Sequence, residues 1–294
     1  MTQVGTGKYT YERIDDFPKL PEGQALGVVS RVATDSRARL YVFQRKDPPV
    51  VVFERDGKYV GSWGSGVFTD PHGIRIVDDI VYTTDRMASV AKTFTLEGTP
   101  LQTLGTPGVH SDTGVSKSPW LALRAGGPFN QPTDMTPGPS GDLYVTDGYC
   151  NARVHRFTAD GKLKGSWGQP GKSAPGEFHL PHSVAIAPDG KLYVADRANR
   201  RIQIFSADGE FIGMWTGMGG PNDIARDRNG IFYICEQEAD GNPAYICIRD
   251  GGGNVLAKWE TRHAHGLTVD AHGDIYVGLT TNHNVDKYVL KEAA

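Results

Sequence analysis

Three histidines of this chain stand in closely matched settings: Pro71-His72-Gly73, Pro181-His182-Ser183 and Ala264-His265-Gly266. Neutral imidazole is a good zinc ligand, and three imidazoles on one ion leave the fourth tetrahedral position open to water or substrate. Such a set is catalytic in character, because structural zinc sites are closed by four protein ligands. A lone histidine is an ordinary hydrogen-bonded residue; these three gain weight from a shared place in a repeat. Residues that could act beside them are Arg45, Asp85-Arg86, Asp147-Gly148-Tyr149, Asp196-Arg197, Glu236-Gln237 and Leu279-Thr280. Tyr149, Arg45 and Arg197 are the candidates for chemistry, and guanidiniums near a cation point to a carboxylate-bearing substrate. Asp85, Asp147 and Asp196 read instead as strand-end turn chemistry. His110, His155, His179, His263, His272 and His283 share no column and read as surface or packing residues, with His263 of interest for lying two residues before His265.

What must bring these residues together is a repeat of short strands. The clearest unit runs from Leu180-Pro-His-Ser-Val-Ala-Ile through Lys191-Leu-Tyr-Val-Ala-Asp-Arg and Arg201-Ile-Gln-Ile-Phe to Glu210-Phe-Ile-Gly-Met-Trp, with Asp-Gly turns between. Its second strand carries Tyr193, matched by Tyr41, Tyr82, Tyr144, Tyr233 and Tyr276. Six copies of a four-stranded unit predict an all-β fold, a six-bladed β-propeller of 1–294 as one domain. The column preceding each tyrosine reads His72, Thr133, His182, Asn222 and His265 in copies two to six. Histidine in copies two, four and six places the three imidazoles at threefold spacing about the ring axis. The last copy has room for a third strand at 284–290, and an alternating segment at 8–14 is expected to supply its outer strand and close the ring, which removes exposed edges. The long spacing between Tyr82 and Tyr144 holds an insertion at 107–127, containing Trp120, Leu121 and Leu123, that reads as a rim or lid loop.

Composition excludes several classes. Lys plus Arg total 31 against 34 Asp plus Glu, a net charge of -3, which argues against nucleic acid as a partner. No apolar run approaches a membrane span, and no signal peptide is evident, so no membrane association is expected. Three cysteines without C-x-x-C spacing fit neither a disulfide scaffold nor a four-cysteine zinc site, and a cytoplasmic location is the expectation.

The repeat resembles the NHL family of propellers, and its motif spacing resembles the peptidyl-α-hydroxyglycine α-amidating lyases over about 27–288. The strings that carry the resemblance are Phe129-Asn-Gln-Pro-Thr-Asp, Val145-Thr-Asp-Gly-Tyr-Cys-Asn-Ala-Arg, and Phe178-His-Leu-Pro-His-Ser through Val194-Ala-Asp-Arg-Ala-Asn-Arg-Arg-Ile-Gln. The resemblance implies zinc on His72, His182 and His265, Tyr149 as catalytic base and Arg45 as an active-site cation, with Arg197 in a matching string. It also implies an aspartate that helps hold calcium directly after the last histidine; this chain has Gly266, so calcium is doubtful. Asn130 replaces a cysteine that would pair with Cys150, and His263 replaces a methionine.

The expected function is a zinc-dependent lyase cleaving the C–N bond of an N-acyl hemiaminal to an amide and glyoxylate, acting on a small molecule with a carboxylate. A zinc hydratase, hydrolase or lyase for another small hydroxylated acid is the enzymatic alternative. Gluconolactonase-like propellers fit less well, since they use oxygen ligands on calcium. An NHL interaction scaffold is the non-enzymatic alternative, because fold alone does not decide function.

Overall fold

The computed structural model describes residues 2–118, 120–237 and 243–291. Among them the chain is all-β, a six-bladed propeller built from five four-stranded sheets and one of five strands. Its residues cluster into two compact units, 68–221 and 1–67 with 222–294. No helix among the described residues is long and apolar enough to cross a membrane.

The unit of 68–221 holds three meanders. The first comprises Pro71–Val77, Ile80–Asp85, Val90–Thr95 and Pro100–Leu104; the second, Pro132–Pro137, Leu143–Asp147, Arg153–Phe157 and Leu163–Trp167; the third, Pro181–Ile186, Leu192–Asp196, Arg201–Phe205 and Phe211–Trp215. Second strands such as Leu192–Asp196 are buried at every residue, because a sheet covers each of their faces. They therefore read as unbroken apolar runs, whereas the outermost strands are largely exposed. Tyr144, Val154, Phe178, Val184, Val194 and Phe205 fill the space between the second and third meanders.

The other unit holds the sheets that begin at Val29–Thr34, Gly220–Arg226 and Ala264–Val269. Here the tyrosine column shows its structural purpose. The phenols of Tyr41, Tyr233 and Tyr276 donate to Asp35, Asp227 and Asp270 at 3.4, 3.3 and 3.2 Å, tying each second strand to the turn before it. Burial pushes the Tyr233 and Tyr276 phenols well above their ordinary range, so both stay donors.

Tyr9–Ile14 takes the fourth place of the last sheet, antiparallel to Asn284–Leu290, with Tyr11 opposite Leu290 and Ile14 opposite Lys287. A fifth strand, Thr2–Thr6, follows it on the outside; its polar, glycine-containing sequence gave no strand signal. Tyr11 is fully buried, its ring 5.4 Å from that of Trp259. Replacing Tyr11 with Ala removes that filling and is expected to cost about 3 kcal/mol, read as a lowered midpoint of urea unfolding; an unchanged midpoint would mean the N-terminal strand contributes little to the sheet.

Candidate metal centre

Five of the innermost strands begin with an irregularity. In the third meander Pro181 pairs with Asp196 and Ser183 with Ala195, so His182 is an extra residue between two ladder positions. The same shift falls at Thr133, at His72-Gly73, at Ser30 and at His265. A bulge bends the strand and re-aims the residue it displaces. The histidine column is thus a column of bulged positions, released from the alternation that governs the rest of each strand.

In the unit of 68–221 this brings His72 and His182 together, their ring centroids 4.9 Å apart at 82°. Nδ1 of His72 lies 2.7 Å from the Thr133 carbonyl oxygen. A carbonyl only accepts, so Nδ1 carries the hydrogen and the Nε2 lone pair faces away from it. Opposite that lone pair stands the Tyr149 hydroxyl, 3.0 Å from His72 Nε2 and 3.1 Å from His182 Nε2. Two imidazole nitrogens thus converge on one point, and imidazole nitrogen is a donor of the type that zinc takes. All three side chains are buried.

Tyr149 is delivered by the turn after Leu143–Asp147. A Cβ on Gly148 would stand 2.1 Å from the Pro181 carbonyl oxygen, so only glycine lets this turn lie against the strand that carries His182. Asp147 holds the turn from below, accepting from the Asn130 backbone at 2.9 Å and Asn151 Nδ2 at 2.8 Å, with His155 Nε2 at 3.2 Å. Over the Tyr149 ring lies the Arg86 guanidinium, 4.8 Å from the centroid, with its Nε donating to Asp70 at 2.6 Å. A cation over an aromatic face is attracted to it.

The 107–127 segment is irregular and braces the same turn; Pro119 within it lies outside the described residues. Thr113 Oγ1 donates to the Cys150 carbonyl, and Gly126 N donates to Asn151 Oδ1 at 3.1 Å. Asn130 Nδ2 reaches the Ser111 carbonyl at 3.0 Å and Thr113 Oγ1 at 2.9 Å. Cys150 is a free, buried thiol, so these hydrogen bonds hold the turn without a disulfide. Trp120 and Leu123 are 67% and 74% exposed.

In the other unit, His265 repeats the arrangement of His72. Its Nδ1 lies 2.6 Å from the Ser30 carbonyl oxygen, which again leaves Nε2 as the available ligand atom. Each unit thus presents buried imidazole of the kind that can ligate a metal ion, His72 and His182 in one and His265 in the other.

Arg45 follows Leu40–Gln44 in that same unit and is exposed, its backbone N–H bonded to Val28 O at 2.9 Å. Arg197 opens the short 3-10 turn Arg197–Asn199 and is half-buried. Asp85 accepts backbone N–H groups of Thr69, Asp70 and Ala88, and Asp196 accepts from the His179 backbone, Asn199, Arg201 and Gln203. Both carboxylates serve turns and strand ends. Sequence reasoning placed Arg86 beside the site without giving it a role; the available signal was the Asp-Arg pair that follows a second strand in both 85–86 and 196–197.

The NHL repeat model matches residues 129–157 and 178–205. NHL repeat-containing protein 3 of Homo sapiens is 32% identical over 249 residues, 79% of this chain and 68% of its own length. A probable peptidyl-α-hydroxyglycine α-amidating lyase of Caenorhabditis elegans is 28% identical over 244 residues, 78% of this chain and 66% of its own. The chain thus spans about two thirds of the length of both. A solved streptogramin B lyase superimposes with a TM-score of 0.66 over 96% of this chain and 97% of its own, at 14% identity, which is a likeness of fold.

Two outcomes are expected. His72→Ala and His182→Ala should each weaken cobalt(II) binding by more than about 100-fold, beyond the range of outer-shell partners, in an absorbance titration; wild-type affinity in both would put the metal elsewhere. Burial, with Asp147 nearby, pushes the Cys150 thiol up to about 11. At pH 8 its thiolate fraction is about 0.001, so iodoacetamide should modify native Cys150 roughly 200-fold more slowly than a free thiol, with the rate rising about tenfold per pH unit. Fast, pH-independent labelling would show that the turn opens.

Proposed function

The chain belongs to the NHL-repeat family, and on that premise we propose that it is a zinc-dependent lyase cleaving the C–N bond of an N-acyl hemiaminal of the α-hydroxyglycine type. The products are an amide and glyoxylate. The observation that carries this reading is the Tyr149 hydroxyl set between the Nε2 atoms of His72 and His182, supported by the likeness to a probable amidating lyase.

His265 is the proposed third ligand. It occupies the same column as His72 and shares its Nδ1-to-carbonyl hydrogen bond. Zinc bound by three imidazoles would supply Lewis acidity that favours loss of a proton from the substrate hydroxyl. Tyr149 Oη, acting as the phenolate, takes that proton and becomes the neutral phenol. The electron pair of the O–H bond forms the aldehyde carbonyl, the C–N pair leaves on nitrogen, and the nitrogen recovers the proton from Tyr149, so atoms and charge balance. Arg86 keeps a positive charge over the phenol ring while Asp70 offsets it. Arg45 or Arg197 would hold the substrate carboxylate and orient the breaking bond.

The three free cysteines support a reducing, cytoplasmic setting, and the small negative charge supports a small-molecule partner over nucleic acid. One observation favours a second substrate within the same chemistry: half-buried His263, two residues before His265, adds a polar group where the resemblance implies methionine. Another small hydroxylated acid is then the alternative.

The test is glyoxylate release from a series of N-acyl-α-hydroxyglycines by zinc-loaded protein. Tyr149→Phe should lower kcat by about 100- to 10,000-fold with zinc content unchanged; full turnover would take Tyr149 out of the mechanism, and no glyoxylate from any member of the series would reject the reaction.

A further inference from the structure

The resemblance implies a calcium-holding aspartate at position 266, and the structure does not accommodate one. A Cβ added to Gly266 would lie 2.6 Å from Arg31 Cγ and 2.9 Å from Arg31 Cα. Glycine here is the condition for Arg31 to pass. That arginine is among the largest fully buried side chains of the molecule, and its Nε lies 3.3 Å from Oδ2 of Asp223, itself fully buried. The same Oδ2 accepts the Leu267 backbone N–H at 2.9 Å, and Oδ1 accepts that of Ile224 at 2.8 Å. Asn222 Nδ2 donates to the Ala264 carbonyl at 2.7 Å. Asn222 and Asp223 therefore grip the backbone on both sides of His265-Gly266, while Ser30, next to Arg31, fixes the His265 ring.

We propose that Arg31 is a resident cation that takes the place of calcium in this chain. Its guanidinium balances Asp223 and thereby positions the start of Ala264–Val269, the strand that presents His265. A buried carboxylate without a counter-charge is unstable, so some cation is required at Asp223. Calcium asks for six to eight oxygen ligands. Here the one carboxylate already accepts backbone N–H groups, and a divalent ion beside Arg31 would meet a like charge. Arg31 is thus a positioning residue for the metal centre, and its role stands apart from the reaction proposed above.

The test needs no substrate. Zinc-loaded wild-type protein is unfolded thermally with and without about 5 mM calcium chloride, magnesium chloride serving as the ionic control. The expected calcium-specific shift in Tm is under about 1 °C, with under about 0.1 calcium per chain retained after desalting; a site of micromolar affinity would raise Tm by about 8 °C. Any saturable, calcium-specific rise above about 1 °C, or one calcium retained per chain, overturns the proposal. Arg31→Met should lower Tm by about 5 °C or more and weaken cobalt(II) binding about tenfold; wild-type Tm and affinity in that variant also overturn it. Should Arg31→Met not fold, the calcium comparison on wild-type protein decides alone.

Discussion

A backbone carbonyl that accepts a hydrogen bond from an imidazole decides what the centre of this protein can do. Thr133 O holds Nδ1 of His72 and Ser30 O holds Nδ1 of His265, so in both rings the second nitrogen keeps its lone pair for a ligand. Thr133 and Ser30 are themselves members of the bulged column, so one sheet's irregular residue orients the histidine of the neighbouring sheet. The neighbours of each column residue repeat this economy. Asp134, one residue after Thr133, accepts from Arg75 at 2.7 Å and from Ser183 at 3.0 Å, as Asp223, after Asn222, faces Arg31. Arginine and aspartate pairs therefore stand one step below the column in both units, and each is buried deeply enough that losing one member would strand the other's charge.

The turn that carries Tyr149 shows how a loop gains the rigidity of a strand. Its backbone is held by Asp147, its outer side by Thr113, Gly126 and Asn130, and its tip by contact of Gly148 with Pro181. Loops often carry function because a rigid scaffold presents them; here the insertion at 107–127 extends that scaffold. A phenol placed by so many separate constraints has little freedom to leave the two imidazoles.

Much of this was legible in the sequence. Recurring tyrosines, evenly spaced once the 107–127 insertion is set aside, marked the second strands because both faces of those strands are covered, which leaves apolar runs with one phenol that an aspartate in the turn satisfies at Tyr41, Tyr233 and Tyr276. The strand at 8–14 declared itself by alternation and by the vacancy beside Asn284–Leu290. The histidines were legible as a column, and Tyr149 through its string after a second strand. What could not be read were features set by packing alone. The bulges leave no composition signal, the Arg86 stack depends on where one side chain falls, and the fit of Arg31 over Gly266 joins residues far apart in the chain. Thr2–Thr6 escaped notice because a polar outermost strand needs only backbone partners.

The pairing of Tyr9–Ile14 with Asn284–Leu290 links positions as much as 279 residues apart. Such a contact has nearly the largest loop-closure entropy this chain can have, although that entropy grows only logarithmically with length. The last sheet consequently acquires its fourth member only after Asn284–Leu290 has been made. Until then Tyr11 lacks the shelter that Trp259 and Tyr288 later give it, so an early strand with an uncovered aromatic residue waits through most of synthesis, a stage at which chaperone capture would have most to act on.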